Sequence, residues 1–295
     1  SLQRCEQVLF TTPTGSLQKT LKHRLPDYDC PILNIHPDDS AYMAMLLSFV
    51  TDPLIQRIYR TTDSLYHDLE WLEYELGDAL SRFRKICPEV SYERFYTLLT
   101  ANFQNYDNRV FCHNRDMVIA IDCYAIGHMS DLQFFGMPSY LVALCQKEYI
   151  VPDCMAAAIR AHIELPKDEM TYLDYAIAEG KVLCFLDEVL PHTPDTLKLR
   201  YTASQKQWIE KNVENVWGWL IQNGTLYNSD RITLNNLVFD APKTNAFGEG
   251  SAPRTHAYIG WQIVKKYMKH SNITFSQLLK ETDSRKILEQ SGWRP

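Results

Sequence analysis

The sequence predicts an α+β protein, in which a small N-terminal mixed sheet with long helices precedes a mostly helical C-terminal half. Short runs rich in aromatic and aliphatic residues, typical of strands, lie before residue 122, and apolar residues at helical spacing dominate after about residue 138. Strands followed by helices favour α+β over a regular βαβ alternation. No convincing linker divides the 295 residues. We therefore expect a single domain over 1–295, with an α/β portion at 1–150 and a helical portion at 151–295.

In the N-terminal portion, residues 1–36 mix polar and apolar side chains with scattered prolines, which predicts extended structure with short strands. From Asp39 the apolar spacing becomes helical, and the clearest long helix is predicted over 64–87, where Pro88 blocks its continuation. Three strands are then predicted, at 95–99, 109–112 and 117–121. The turn between two of them is assigned to Asn105, Asp107 and Asn108.

In the C-terminal portion, helices are predicted over 154–165, 171–189, from Thr202 onward, 258–270, from Thr274 onward and after Asp283. Thr202 with Gln205, and Thr274 with Gln277, have the spacing of capping boxes. Residues 241–254 contain two prolines and two glycines and are predicted to form a surface loop.

Charge and composition exclude several classes of protein. With 36 acidic and 30 basic residues the net charge is −6, so no basic surface for nucleic acid is indicated. No apolar stretch approaches the length of a membrane span. None of the eight cysteines forms a CxxC pair, which argues against a zinc finger, and we expect buried thiols rather than a disulfide framework.

One pair of residues has the spacing of a zinc peptidase. His162 and Glu179 lie on consecutive predicted helices, as do the second histidine and the downstream glutamate of gluzincins. The first histidine would then fall at Ala158 and the general base at Ile159, and both are apolar. Two protein ligands hold zinc weakly, and hydrolysis without a carboxylate base lacks its proton acceptor. Three interpretations therefore stay open. His162 and Glu179 are ordinary residues on helix faces, or they line the polar pocket of a vestigial site, or they belong to a working zinc site that uses another ligand.

Aromatic residues offer a different kind of site. Tyr201, Trp208 and Trp261 are candidates for lining a groove, although aromatics at helical spacing more often belong to a core.

Several segments together resemble the family of gliding-motility lipoproteins called GldB. They are 117–122 (MVIAID), 136–141 (GMPSYL), 148–153 (EYIVPD), 178–181 (AEGK), 201–208 with its Tyr, Gln and Trp, and 260–267 (GWQIVKKY). The resemblance covers roughly 60–295. It implies a lipid-anchored protein of the cell envelope, at the outer membrane and facing the periplasm or the surface. Its partners would be envelope proteins, including gliding or secretion machinery. Because the chain begins with Ser1, we expect the segment carrying the lipid anchor to have been removed.

The GldB family is similar, more distantly, to predicted zinc proteases, which implies a zincin-like fold here. Glu179–Gly180 and residues 260–264 match those proteases, but their first histidine and base glutamate are absent. Only His162 and Glu179 carry over. We therefore expect a non-catalytic accessory or interaction component, not an enzyme, with no cofactor and no metal, and with a pocket between the His162 and Glu179 helices. Two alternatives stay open: a zinc peptidase that recruits His128 or His256, and a small-ligand or peptide-binding module that uses the aromatic groove.

Overall fold

The computed structural model describes residues 2–24, 33–129 and 136–295, with only the backbone of Gln104 and Asn105. The strands are β1 (Leu2–Arg4), β2 (Arg94–Leu98), β3 (Val110–His113) and β4 (Asp116–Ala120). The helices are α1 (Cys5–Thr11), α2 (Thr14–Arg24), α3 (Ser40–Thr51), α4 (Pro53–Leu65), α5 (Glu70–Ile86), α6 (Ser139–Val142), α7 (Ile150–Arg160), α8 (Tyr172–Val189), α9 (Asp195–Leu199), α10 (Ala203–Gln222), α11 (Arg231–Val238), α12 (Thr255–His270), α13 (Phe275–Lys280) and α14 (Ser284–Ser291). The α+β class with a mixed sheet is confirmed.

The sheet has the order β1-β2-β4-β3. β2 pairs in parallel with β1 and β4, and β3 pairs antiparallel with β4. Every residue of β4 is buried, because its continuous apolar run suits a strand covered on both faces. The three predicted strands are confirmed within one or two residues. The predicted turn around Asp107 is part of a 3₁₀ helix, Phe103–Asn108.

The prediction of extended structure for residues 1–36 is wrong over residues 5–24, where α1 and α2 follow β1. Leu17 and Leu21 lie one turn apart on α2 and are fully buried against Met43, Leu46 and Val50 of α3. This burial stabilises a helix despite the polar residues around it. Residues 25–32 lie outside the described residues.

The predicted helix over 64–87 is interrupted, because α4 ends at Leu65 and α5 begins at Glu70. Asp68 accepts the Glu70 amide at 2.8 Å, and the buried Tyr66 hydroxyl donates to the Tyr124 carbonyl at 2.8 Å. A new N-terminal cap and a tertiary hydrogen bond thus replace the turns that a continuous helix would have formed there.

In the C-terminal half the predicted capping boxes at Thr202 and Thr274 are confirmed, and Asp283 caps α14. The predicted surface loop 241–254 is only partly exposed. Thr244 and Ser251 are buried. The Ser251 hydroxyl accepts the Thr244 amide at 3.1 Å and donates to the Thr244 carbonyl at 3.0 Å, so the loop closes on itself.

Contacts divide the chain into two compact units. The first is Ser1–Asp78 with Ser91–Ala157, and the second is Ala79–Val90 with Ala158–Pro295. The single domain divided near residue 150 stays a prediction. Within the described ranges, no helix combines the length and apolarity that a membrane crossing requires.

The described cysteines are outside disulfide bonds, and all but Cys112 are buried. This agrees with the prediction of buried thiols; Cys30 lies outside the described residues. Burial raises the pKa of Cys112 to about 11. It likewise holds the pKa of Cys184 well above its ordinary value. These thiols are therefore protonated and act as small core residues.

The first unit also holds a buried carboxylate in the 117–122 segment. Asp122 accepts the backbone amides of Thr100 and Ala101 at 3.1 and 2.7 Å. Ala101 has a φ of +51°, a left-handed conformation that a residue with a Cβ rarely adopts. Burial raises the pKa of Asp122 to about 6, although these hydrogen bonds favour its charged form. Asp122 therefore fixes a strained turn next to the sheet.

Candidate functional site

Two helices of the second unit position the candidate site. α8 begins in a capping box, in which the Thr171 hydroxyl accepts the Asp174 amide and Asp174 accepts the Thr171 amide. Gly180 of α8 lies against the backbone of Gly260 in α12, and these helices share the most extensive helix–helix contact of the described chain. Because Gly180 faces α12, its neighbour Glu179 is placed beside the residues at the start of α12.

The carboxylate of Glu179 is held by two arginines. Arg160, the last residue of α7, places Nη2 2.9 Å from both carboxylate oxygens. Arg254, immediately before α12, places Nη2 2.6 Å from Oε1. The Arg254 side chain is 8% exposed and the Arg160 side chain 46% exposed. Glu179 is thus clamped between a buried arginine and an arginine that reaches solvent.

The ion pairs continue beyond Arg254. Its Nε lies 3.5 Å from Oδ1 of Asp240, and Nη2 of Arg200 lies 3.2 Å from the other oxygen of that carboxylate. Arg160, Glu179, Arg254, Asp240 and Arg200 therefore form a chain of alternating charge, named here the ion-pair chain. With three arginines and two acids its net charge is +1.

Two arginines of the ion-pair chain have strained backbones. Arg200 and Arg254 have φ values of +61° and +46°, in the left-handed region. The Tyr201 hydroxyl donates to the Arg254 carbonyl at 2.9 Å, and Nη1 of Arg254 donates to the Leu199 carbonyl at 3.2 Å. Left-handed backbone at a non-glycine residue costs about 1–2 kcal/mol, so these contacts hold each arginine in a conformation it would otherwise leave.

The electrostatics of Glu179 follow from its neighbours. Burial alone would raise its pKa, but Arg160 and Arg254 outweigh burial and hold the pKa well below its ordinary value. His256 is also buried, and its Nδ1 lies 3.2 Å from the Leu237 carbonyl oxygen. Burial, and then the charge of Arg254, lower the pKa of His256 to about 3. At neutral pH the site contains an ionised glutamate and a neutral histidine.

The predicted pair of His162 and Glu179 is placed in different surroundings. α7 spans Ile150–Arg160, so the helix predicted over 154–165 begins four residues too late and ends five residues too late, and His162 lies in the turn after α7. Beyond this turn, the Glu164 amide donates to the Leu279 carbonyl at 2.9 Å. Burial lowers the pKa of His162, against the opposing charge of Glu89. By contrast, the two carboxylate oxygens of Glu179 accept hydrogen bonds from arginines 160 and 254.

Ala158 and Ile159, at the positions of the first histidine and the base, are completely buried. Across the described ranges, no three His, Cys, Asp or Glu residues gather in a group that could hold a metal ion. Of the two alternative ligands, His256 lies near Glu179 with Arg254 charged beside it, and His128 is exposed in the first unit.

The three aromatic candidates have separate partners. Tyr201 is buried and belongs to the site through its bond to Arg254. Trp208 is half-buried, and its ring lies 5.9 Å from that of Phe247, tilted by 37°. Trp261 is buried, and its Nε1 donates to Asp187 at 2.8 Å. Only Tyr201 is therefore connected to the ion-pair chain by a described contact.

Sequence reasoning missed the residues that define the site, namely Arg160, Arg200, Asp240 and Arg254. Arg160 lies within residues 158–162, the stretch that was compared with the helix of a zinc peptidase. Its position beside the predicted site was the one signal in the sequence that could have identified it. Arg254 ends a loop that was predicted to be exposed. Long-range ion pairs have no spacing rule, and the sequence offered no basis for joining these four residues.

The family comparison covers the whole chain. A family model described as gliding motility protein GldB matches residues 1–295. No curated protein and no solved structure matches the chain significantly. The chain belongs to the GldB family of gliding motility proteins, which are lipoproteins of the cell envelope.

Proposed function

We propose that this protein is a non-catalytic component of the gliding apparatus, in which a former metallopeptidase site has become the ion-pair chain. The observation that carries the proposal is the clamp on Glu179. Arg160 and Arg254 occupy its two oxygens with three hydrogen bonds of 2.6–2.9 Å. In this interpretation Glu179 holds Arg160, at the end of α7, and Arg254, at the start of α12, on α8.

The residues present do not fit a catalytic zinc ion. A zinc ligand must direct a carboxylate lone pair at the metal, and catalytic sites use three protein ligands with an open position. Here both carboxylate oxygens accept hydrogen bonds from guanidinium groups, whose positive charge would repel a dication. The apolar Ala158 and Ile159 supply neither a ligand nor a base.

The proposal includes a zincin-like ancestry of the fold. The support is the succession of α7 and α8, with Glu179 on the second helix, followed by the closing helix α12 with Gly260 at its contact with α8. Gly180 and Gly260 allow α8 and α12 to pack closely. This packing role explains why the Glu179–Gly180 and 260–264 motifs are present even without metal chemistry.

The proposal also places the protein at the outer membrane, held by a lipid anchor and facing the periplasm or the surface. There it would act through envelope partners of the gliding or secretion machinery. The support is the family membership. Membrane fractionation of cells that express the full precursor tests the location, and recovery in the inner membrane would contradict it.

Metal analysis tests directly whether the protein has lost the ability to bind zinc. Protein purified without chelator should contain far less than one zinc per chain, and His162→Ala should not change that value. Stoichiometric zinc that His162→Ala removes would overturn the proposal.

Complementation tests the non-catalytic role. In a gliding strain that lacks its own GldB-family gene, His162→Ala should restore gliding as the wild-type gene does. Immunoblotting of membrane fractions controls for expression and export. A normally exported His162→Ala protein that fails to support gliding would show that His162 has an active role.

A further inference from the structure

The first unit contains an apolar pocket that the ion-pair chain does not involve. The pocket has a volume of about 280 Å³ and is partly open to solvent. Its lining comes from α1, α2, α3, the segment before α3 and the end of β2, through Cys5, Val8, Leu9, Leu21, Leu33, Ile35, Tyr42, Met45, Leu46, Phe49, Leu98 and Leu99.

The chemistry of the lining is almost purely hydrocarbon. It contains no charged side chain, and its polar groups are the Tyr42 hydroxyl and the Cys5 thiol. Tyr42 is half-buried, and this burial raises the pKa of its phenol. The His36 ring contacts the Tyr42 ring edge to face at 5.8 Å, and Nε2 of His36 lies 2.7 Å from Oδ1 of Asn34. The polar side chains of His36 and Asn34 thus lie on the Tyr42 side of the pocket.

The helix beside the pocket has an unusual exterior. α3 carries no charged residue over its twelve positions, although half of them are exposed. Met45 is 63% exposed and also lines the pocket, so a flexible apolar side chain lies at the opening. An apolar surface that continues from a pocket to its opening is typical of ligand-binding sites.

We propose that this pocket binds one alkyl chain of an amphiphile, with the polar head beside Tyr42 and His36. An apolar cavity of about 150 Å³ holds the six carbons of benzene, so 280 Å³ accommodates a chain of about ten carbons. A charged or strongly polar ligand is disfavoured, because the lining offers too few groups to replace its water.

Chain-length dependence in the unmodified protein tests the proposal without any variant. Octanoate, decanoate, dodecanoate and tetradecanoate are titrated by calorimetry below their micelle concentrations. Each methylene that leaves water strengthens binding about fourfold, so affinity should rise steeply to about ten carbons and then level off. No binding of decanoate overturns the proposal, and so does a rise that continues unchanged to tetradecanoate, because that indicates partition onto a surface.

Two variants tie the binding to this pocket. Val8→Phe adds volume inside the pocket and should weaken decanoate binding at least tenfold, and Met45→Ser removes the side chain at the opening and should weaken it about threefold. Ile232→Phe is the matched control, since Ile232 is 84% exposed on α11 in the second unit. Circular dichroism checks folding. If Val8→Phe does not fold, the comparison rests on Met45→Ser, and unchanged affinity in the folded variants overturns the proposal.

Vesicle flotation distinguishes a free amphiphile from a membrane lipid. Phosphatidylethanolamine–phosphatidylglycerol vesicles that recruit the wild-type protein but not Val8→Phe indicate a lipid chain as the ligand. Decanoate binding without vesicle recruitment indicates a free amphiphile. Equal recruitment of both proteins, together with absent decanoate binding, contradicts the pocket as an alkyl site.

Discussion

Gly180 of α8 lies directly against the backbone of Gly260 of α12. A Cβ atom added to Gly180 would overlap the Gly260 carbonyl, and one added to Gly260 would overlap the carbonyl of Ala176. Small residues let two helix backbones approach this closely, and here the close approach brings Glu179 within reach of Arg254. The tight helix crossing therefore determines the geometry of the ion-pair chain.

Gly260→Ala should destabilise the protein by about 3 kcal/mol or prevent folding, since backbone atoms cannot move aside as a side chain can. Urea denaturation measures the change. Gly218→Ala on α10 is the matched control, because a Cβ atom added there would meet nothing within 4 Å. There alanine should stabilise by up to about 1 kcal/mol through helix propensity. Equal effects at Gly260 and Gly218 would contradict the tight crossing.

Glu179→Gln should cost about 3–5 kcal/mol, because it leaves the buried Arg254 without one of its counter-charges. Urea denaturation at neutral pH measures the loss. Arg160→Met should cost about 1 kcal/mol or less, since that arginine is nearly half exposed and its ion pair is screened by water.

A double-mutant cycle gives the control for this prediction. Glu179→Gln combined with Arg254→Met removes both charges of the buried pair, so the double variant should be less destabilised than the sum of the two single variants. Strict additivity would show that the two side chains do not interact in solution.

The sequence was most informative where structure depends on neighbours in the chain. The capping boxes of Thr202 and Thr274 and the apolar run of β4 are determined by residues a few positions apart, and all were predicted. The α2 helix was missed because its stability comes from burial against α3 rather than from local propensity. Glu179 was identified from spacing, but Arg254 lies 75 residues away along the chain, and only the folded structure joins the two.

His256 should make the protein less stable in mild acid. Its pKa in the folded protein is about 3, below the ordinary 6.5, so between these values the unfolded chain binds more protons. Stability should therefore fall by about 2 kcal/mol between pH 6.5 and 4.5 relative to His256→Asn, whose amide keeps a donor for the Leu237 carbonyl. Urea denaturation of both proteins at several pH values measures the difference.

Comparison with the variant isolates the histidine from other groups that titrate in this range. Asp122 acts in the opposite direction, because its pKa is raised to about 6 and its protonation in the folded state favours folding at low pH. Since Asp122 is common to both proteins, its contribution cancels. Parallel stability curves for the wild type and His256→Asn would show that His256 titrates normally.

Lys181 should make the protein more stable as the pH rises through the mildly alkaline range. It lies on α8 with its side chain buried, and Nζ donates to the Glu281 carbonyl. Burial lowers its pKa to about 8, against the opposing charges of Glu281 and Glu164. Between pH 8 and 10.5 the unfolded chain binds more protons, so stability should rise with pH relative to Lys181→Met. Measurement by urea denaturation up to about pH 9.5 limits interference from tyrosines, whose ordinary pKa is about 10. Lys211→Met, at an exposed position of α10, should give a curve parallel to that of the wild type. If Lys181→Met is also parallel, the lysine is solvated rather than buried in solution.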